Sequence, residues 1–431
     1  MASRRPSTAE ALLDFLGSAP LASTLATIAV GVGVLAVPLH NTIGWAGLIA
    51  ILAALVALCV ASVWARRETL DRTGLLPISL LVFTVWAGLS VVWSQYQWVT
   101  IGSLAYLFAF SLLGVYIALV RDTIQVIRVF GDVIRFVLVA SLALEVLSGL
   151  LIDSPIRFLG IAGNLADGGP ISGLMSNRND MALLAVIGGL SFIIEWRTRS
   201  IQRGLAIGSL VLAALTLLFT RSSIGYGTAF VAIVVLGALY GIRRVPASQR
   251  RFWQVGVLVL AIVGAIAAWA LRSPIIALLN ATGELNYRLT LWNEIWALLR
   301  LHIVEGWGWV GQWNTGVVPY SLLSTVAGRP SSSAVNAYLD VWFQLGFIGF
   351  ALFLGLAGIA FARSWLLAAR QRSVVYTWPA VALAALLTAS LAESGILTEF
   401  GWMTLVICCV LASQRLSWRT AFRTPLEQEP L

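Results

Sequence analysis

Apolar residues in this chain fall into long blocks, and the blocks set the expected architecture. Twelve runs stand near 21–39, 42–64, 75–94, 98–120, 133–152, 179–196, 204–220, 223–242, 254–271, 335–362, 376–393 and 396–413. A membrane-crossing helix needs about 20 apolar residues. Lipid offers no partner to an open backbone, so each run is predicted to be helical. The alternation of an outer-membrane barrel is absent. The predicted fold is all-α, a polytopic membrane helical bundle of about 12 transmembrane helices. One polar stretch, 272–334, interrupts the pattern between the ninth and tenth runs. The expected organisation is an N-terminal tail (1–20), nine spans (21–271), that loop, three spans (335–413) and a C-terminal tail (414–431).

Composition supports the pattern. Of 431 residues, 59% are hydrophobic and 11% charged, with mean hydropathy +0.90, more apolar surface than a soluble domain needs. Cys59, Cys408 and Cys409 have neither metal-ligand spacing nor an evident disulfide partner. No metal, cofactor or nucleic-acid partner is expected. The first residues, MASRRPSTAEALLDFLGSAP, reach their apolar run late, which predicts an uncleaved first span rather than a signal peptide.

Arginine then orients the chain. All 28 basic residues are arginine; most of this follows from codon bias and from snorkelling at helix ends. Segments 1–20, 65–74, 121–128, 197–203, 243–251, 363–373 and 413–431 together carry 20 of them. The other side carries seven: Arg157, Arg178, Arg221, Arg272, Arg288, Arg300 and Arg329, while Arg135 falls just inside a span. Positive residues stay cytoplasmic, so both termini are expected inside the cell and 272–334 outside, in the inner membrane.

The outer arginines oppose that bias. A long loop tolerates charge, but an anionic partner on the outer face explains them better at Arg221 and Arg288. Arg221 stands in FTRSSIGYG, at the turn of a tight helical hairpin, with Ser222 and Ser223 beside it. Arg288 opens YRLTLWNEIWALLRLH, where Leu289, Trp292, Ile295, Trp296, Leu299 and Ile303 recur at helical spacing. This predicts an amphipathic helix, membrane-interfacial or packed over the bundle, with Arg288 at its N-terminal end where the dipole favours an anion. Arginine forks pair bidentately with phosphate. In GWGWVGQW, glycines permit tight turns, and Trp307 and Trp309 offer flat faces to sugar rings or to the interface. Arg178 in SNRND is a headgroup contact or a polar cap, and Asn179 and Asp180 are expected as caps. Glu145, inside a span, is expected to pair with an arginine or to line a lipid-access cavity.

In order, GLMSNRNDMALL, FTRSSIGYG, YRLTLWNEIW, GWGWVGQW and VNAYLDVWFQLGFIG resemble the O-antigen ligase and polymerase family of bacterial envelope glycosyltransferases, over roughly residues 160–395. The family motif is His-Asn, nine residues, Gly, two residues, Gly; here Asn336 is followed by Gly346 and Gly349 at that spacing. The resemblance implies a GT-C-like membrane fold with a large extracytoplasmic loop. It implies metal-independent, inverting transfer of a glycan from an undecaprenyl- or decaprenyl-diphosphate donor to a hydroxyl of a glycan or lipid-glycan acceptor. Arg221 and Arg288 fall on the family's phosphate-binding arginines, and Arg178, Ser222, Asn336, Trp307, Trp309 and Glu393 are expected to line the substrate.

The family histidine falls on Val335, which cannot accept a proton. Three readings stay open. Another base substitutes, with His302, Glu305, Asp340 and Glu393 as candidates; or no strong base is needed, general-base catalysis being worth only about 10²–10⁴-fold; or catalysis is lost and the chain acts as a scaffold. Ligase and polymerase are not separable in the sequence. A transporter of lipid-linked sugar is the remaining class; it should show internal repeats and polar or Gly/Pro-broken helices near the midplane, whereas no clear repeat is evident and the charges concentrate outside the bilayer.

Overall fold

The computed structural model describes residues 8–68, 77–166, 168–246, 248–278 and 282–415. The expected tails, the 65–74 connection and the loop after residue 278 therefore fall partly outside the described residues. Every one of the twelve apolar runs falls largely on helix. Among the described residues, eight helices are long and apolar enough to cross a membrane: α3 (Ala36–Ala65), α5 (Gln97–Val120), α6 (Thr123–Val146, continued by a π-turn to Ile152), α7 (Arg178–Thr198), α8 (Arg203–Thr220), α9 (Ser223–Arg244), α10 (Arg250–Ala270) and α13 (Ala337–Arg370). A bent pair, α1 (Thr8–Leu16) and α2 (Ala19–Val34), meets the same test as one unit. The runs predicted as the third, eleventh and twelfth spans are shorter helices, α4 (Ile78–Leu89), α14 (Thr377–Ala389) and α15 (Glu399–Arg415). The chain is an all-α polytopic membrane protein.

Burial explains the short helices. The described side chains of α15 are almost entirely buried, and α14 likewise, so both are enclosed by protein rather than by lipid. Small residues bring their neighbours close, the usual device where lipid removes the hydrophobic drive between helices. A Cβ on Gly33 of α2 would lie 2.8 Å from Met403 Cε, and one on Gly114 of α5 3.0 Å from Val406 Cγ1. At the other extreme, no residue of α10 is buried.

The polar segment folds as a cap with its own apolar core. After the short α11 (Arg272–Leu278), α12 (Thr282–Leu299) buries Leu291, Ile295 and Leu299 against Val310, Trp313, Tyr320, Leu323 and Phe343. A short hairpin, β1 (Thr325–Val326) and β2 (Arg329–Pro330), packs beside it. The expected stripe on α12 is divided. Ile295 and Leu299 are buried, whereas Leu289 and Trp296 are exposed and Ile303 lies beyond the helix end. The face covering the cap's core won, because the loop supplies apolar partners that an isolated amphipathic helix lacks. Trp292 anchors this face by donating from Nε1 to the Ala334 carbonyl at 2.9 Å.

The cap grips the bundle where α13 breaks. Gly346 has φ 69° and ψ −174° inside the helix, so the ladder opens there. The freed groups pair with residues 303–308. Phe347 N donates to Ile303 O (2.8 Å), Trp307 N to Phe343 O (3.1 Å), and Gly308 N to Gln344 O (2.8 Å). Trp86 Nε1 takes the Leu345 carbonyl at 3.0 Å. A broken span whose Phe343, Gln344 and Leu345 carbonyls and Phe347 N–H are met by protein accords with the rule that lipid cannot supply partners.

Candidate functional site

Four segments meet at one end of the bundle: the start of α7, the α8–α9 turn, the connection between α14 and α15, and the underside of α12. Asn177 caps α7, its side chain accepting from Asn179 N at 2.9 Å, so Asn179 is not the expected cap. Its amide instead donates to Glu393 Oε1 at 2.5 Å and accepts from Ser222 Oγ at 2.7 Å. Ser222 is itself the cap of α9, receiving Gly225 N at 2.9 Å. Arg221 is the left-handed residue (φ 45°) joining α8 to α9 and is exposed. The turn is as tight as its sequence predicts.

Arg288 is the charged centre of this region and only 8% exposed. Its Nη2 reaches Glu393 Oε1 at 3.4 Å and the Ala392 carbonyl at 3.3 Å, and its Nη1 stands 3.7 Å from Glu284 Oε2. α12 starts at least as early as Thr282, so Arg288 lies nearly two turns inside the helix. The expected help from the helix dipole, confined to the first turn, therefore fails. Glu284 is shared by three guanidinium groups: Arg288, Arg178 at 3.1 Å and Arg329 at 3.3 Å. Glu284, Arg178 and Arg329 are each between about a third and a half exposed, so this ion cluster opens to the outside of the fold. Burial pushes the Glu393 carboxyl above the usual range, and Arg288 and Asn179 oppose that shift.

Thus Arg178, Ser222, Arg288 and Glu393 converge, with Arg221 one residue from Ser222. Glu284, Arg329 and Asn179 complete the cluster, although Arg329 was expected only as one of the outer arginines, Asn179 only as a cap, and Glu284 had no expected role. The signal for Glu284 was present in its position four residues before Arg288, the spacing of a helical ion pair.

Other expected site residues are engaged elsewhere. Asp340 is fully buried, and Oδ1 accepts from Trp313 Nε1 and Gln344 Nε2, each at 2.8 Å, while Oδ2 accepts from Ala334 N at 3.1 Å. Gln344 continues the brace, its Oε1 accepting from Val310 N and Gly311 N and its Nε2 donating to Gly311 O. His302 and Glu305 pair with each other at 2.8 Å on the turn after α12, and that bond holds the Glu305 carboxyl below its ordinary range. Trp307 packs edge-on to His302, and Trp309 is fully buried against Phe83, leaving it no face for a sugar. Glu145 accepts from Ser172 N and Gly173 N, backbone partners rather than the arginine that was one of its two expected roles.

Asn336 caps α13, its Oδ1 accepting from Tyr338 N and Leu339 N at 3.0 Å each, while Nδ2 donates to Leu391 O, two residues before Glu393. It thereby ties the start of α13 to the segment carrying Glu393. Val335 just before it has φ 49°, a left-handed conformation that is an outlier for a β-branched residue and commoner for histidine or asparagine. Among the described residues, no group of three His, Cys, Asp or Glu side chains is placed to hold a metal.

No curated protein matches the chain significantly. Residues 208–354 match the family model described as O-antigen ligase (Wzy_C), about a third of the chain. The matched region runs from α8 past the break in α13 and contains Arg221, Arg288, Asn336, Gly346 and Gly349. The motif order and this match agree on one assignment: residues 208–354 carry an O-antigen ligase domain.

Proposed function

We propose that the chain transfers a glycan from a polyprenyl-diphosphate donor to an acceptor hydroxyl at the outer face of the inner membrane. The O-antigen ligase match over residues 208–354 supports ligase- or polymerase-type glycan transfer in envelope polysaccharide synthesis. The observation that carries the donor assignment is the Glu284 carboxylate held by three arginines in an exposed cluster. A diphosphate offers the same acceptor geometry with more charge, so it would displace Glu284 and take Arg178, Arg288 and Arg329, with Arg221 at the adjacent turn. The distribution of arginines supports twelve spans, both termini in the cytoplasm and residues 272–334 as the outer loop.

In this reading the acceptor oxygen attacks the anomeric carbon from the face opposite the diphosphate. The bond from that carbon to the diphosphate oxygen breaks, and the electron pair leaves with the lipid diphosphate. Arg288, fixed by Glu393 and Ala392, neutralises the developing charge without reorganising. Of the four base candidates, Glu393 alone shares the arginine cluster, and burial raises its pKa above the ordinary carboxylate value, which makes its carboxylate a stronger proton acceptor. Asp340 serves instead as a positioning residue that secures the cap.

A second reading, a donor-binding scaffold without transfer, is favoured by Val335. One assay separates them: purified protein reconstituted with a synthetic polyprenyl-diphosphate oligosaccharide and an acceptor glycan. Release of lipid diphosphate by wild type, lost in Arg288→Ala, is the expected result. Donor binding without release would leave the scaffold.

A further inference from the structure

Half of the apolar stripe on α12 stays outside the cap's core, and it runs into a larger apolar surface. Leu289 and Trp296 are exposed on the helix. Beyond its end, Leu301 (67% exposed), Ile303 and Val304 are exposed on the turn that grips the break in α13. Phe347 and Ile348, just past that break, are exposed beside them, tied there by the bond from Phe347 N to Ile303 O. Trp93 Nε1 donates to the Glu305 carbonyl at 3.0 Å, which adds the turn between α4 and α5 to this surface. Val92 and Trp98 are exposed there, Trp98 at 85%. A water-facing surface rarely leaves so many large apolar side chains together.

The same surface continues along the helices into faces suited to lipid. Exposed Val85 and Leu89 of α4 lead to Val92, and exposed Leu354 and Ile359 of α13, itself long and apolar enough to cross a membrane, lead to Phe347 and Ile348. Aromatic rings gather at the junction. Trp342 stacks on Phe350 at 5.1 Å and meets Trp296 edge-on at 5.4 Å, while its Nε1 donates to the Ile303 carbonyl at 3.1 Å. Tryptophan collects at the boundary between hydrocarbon and water, where the ring is apolar and the N–H is partnered. Charge at the rim agrees with that placement. His302 and Glu305, the titratable side chains of this turn, pair with each other. Arg300 is exposed, and its side chain makes no hydrogen bond or ion pair among the described residues. An arginine so placed can lay its stem along the apolar patch and lift its fork to lipid phosphate.

We infer that this surface is a membrane-docking face of the cap: Leu301, Ile303 and Val304, with Trp98 and Phe347, bed in the boundary between acyl chains and headgroups of the adjoining leaflet, with Arg300 at the rim among the lipid phosphates. The cap is then held by lipid as well as by the break in α13, as an interfacial helix is held by its apolar side. Arg288 and Leu299 stand roughly 17 Å apart along α12 at the helical rise. Bedding the far end of that helix therefore keeps the arginine cluster within reach of a diphosphate carried by a membrane lipid. That consequence rests on the donor reading; the docking itself does not.

The test uses the full chain in nanodiscs of phosphatidylglycerol and phosphatidylcholine, without donor or acceptor, so its outcome is separate from that of the transfer assay. Cys59, Cys408 and Cys409 are buried, which lets a nitroxide be attached at Leu301→Cys, at Val304→Cys or, on an exposed polar turn of the cap, at Thr315→Cys. The ratio of collisions with oxygen to collisions with a nickel chelate is expected to be several-fold higher at 301 and 304 than at 315. Equal access of nickel to all three sites overturns the proposal. Shielding of 301 and 304 from both reagents would mean a protein partner or a second copy, and overturns it as well. A phosphatidylcholine with a photoreactive acyl chain checks the unlabelled wild type in the same nanodiscs. Adducts are expected on residues 300–304 as well as on α10, no residue of which is buried. Adducts on α10 with none on 300–304 overturn the proposal.

Discussion

The Val304 carbonyl oxygen occupies the space that a side chain on Gly346 would need. This approach welds the cap to the break in α13, and Gly346 meets it with φ 69°. Alanine there would combine a left-handed strain with a backbone clash. Gly346→Ala should cost on the order of 3 kcal/mol and loosen the cap before the bundle. Faster proteolysis within 282–335, with helical content retained, is the expected outcome.

Arg288→Ala removes the cluster's most buried cation and leaves Glu393 buried without its counter-charge. Transfer should fall by about 10²–10³-fold or more, as for a lost oxyanion donor. Arg288→Lys should restore the charge yet recover little rate, because an ammonium cannot bridge Glu393, Ala392 and Glu284 as a planar fork does. Release of lipid diphosphate reads both. Wild-type rates in Arg288→Ala would remove Arg288 from the site.

Glu393 gives the pH dependence. Its folded pKa is raised by burial above the unfolded value of about 4.3, so the fold favours the protonated form. Its contribution to stability is therefore greatest at low pH and declines as pH rises from about 4.3 through the raised folded value. Glu393→Gln, neutral at every pH, should flatten that decline in thermal unfolding. If Glu393 accepts the acceptor's proton, transfer rises over the same window in wild type and loses that limb in Glu393→Gln.

Val335 holds a β-branched side chain at φ 49°. Val335→Asn should stabilise the chain by about 1 kcal/mol, since asparagine tolerates this region. Val335→His should fold at least as well and keep or raise transfer. Complete loss of transfer in Val335→His would indicate a pocket rebuilt around valine.

Asp340→Ala would leave Trp313 Nε1 and Ala334 N buried without an acceptor, at about 1–3 kcal/mol each. A lower unfolding midpoint with parallel loss of activity fits a positioning role. Loss of transfer with unchanged stability would restore Asp340 as a candidate base.

Helices, the polar cap and the tight turn at Arg221 were legible in the sequence because lipid forces apolar runs into helices and charge to their ends. The motif spacing likewise pointed to Arg221, Arg288 and the Asn336–Gly346 segment. Which polar residues share a site was decided only by tertiary structure. Glu284, Arg178, Arg329 and Glu393 are scattered over more than 200 positions, and no local pattern links them. Asp340, His302, Glu305 and Trp309 had the right chemistry in the right segment, but packing gave their atoms other partners. Hydrophobic periodicity fixes which face of a helix is buried; it does not fix which distant carboxylate an arginine meets there, because that depends on how the cap docks on the broken helix.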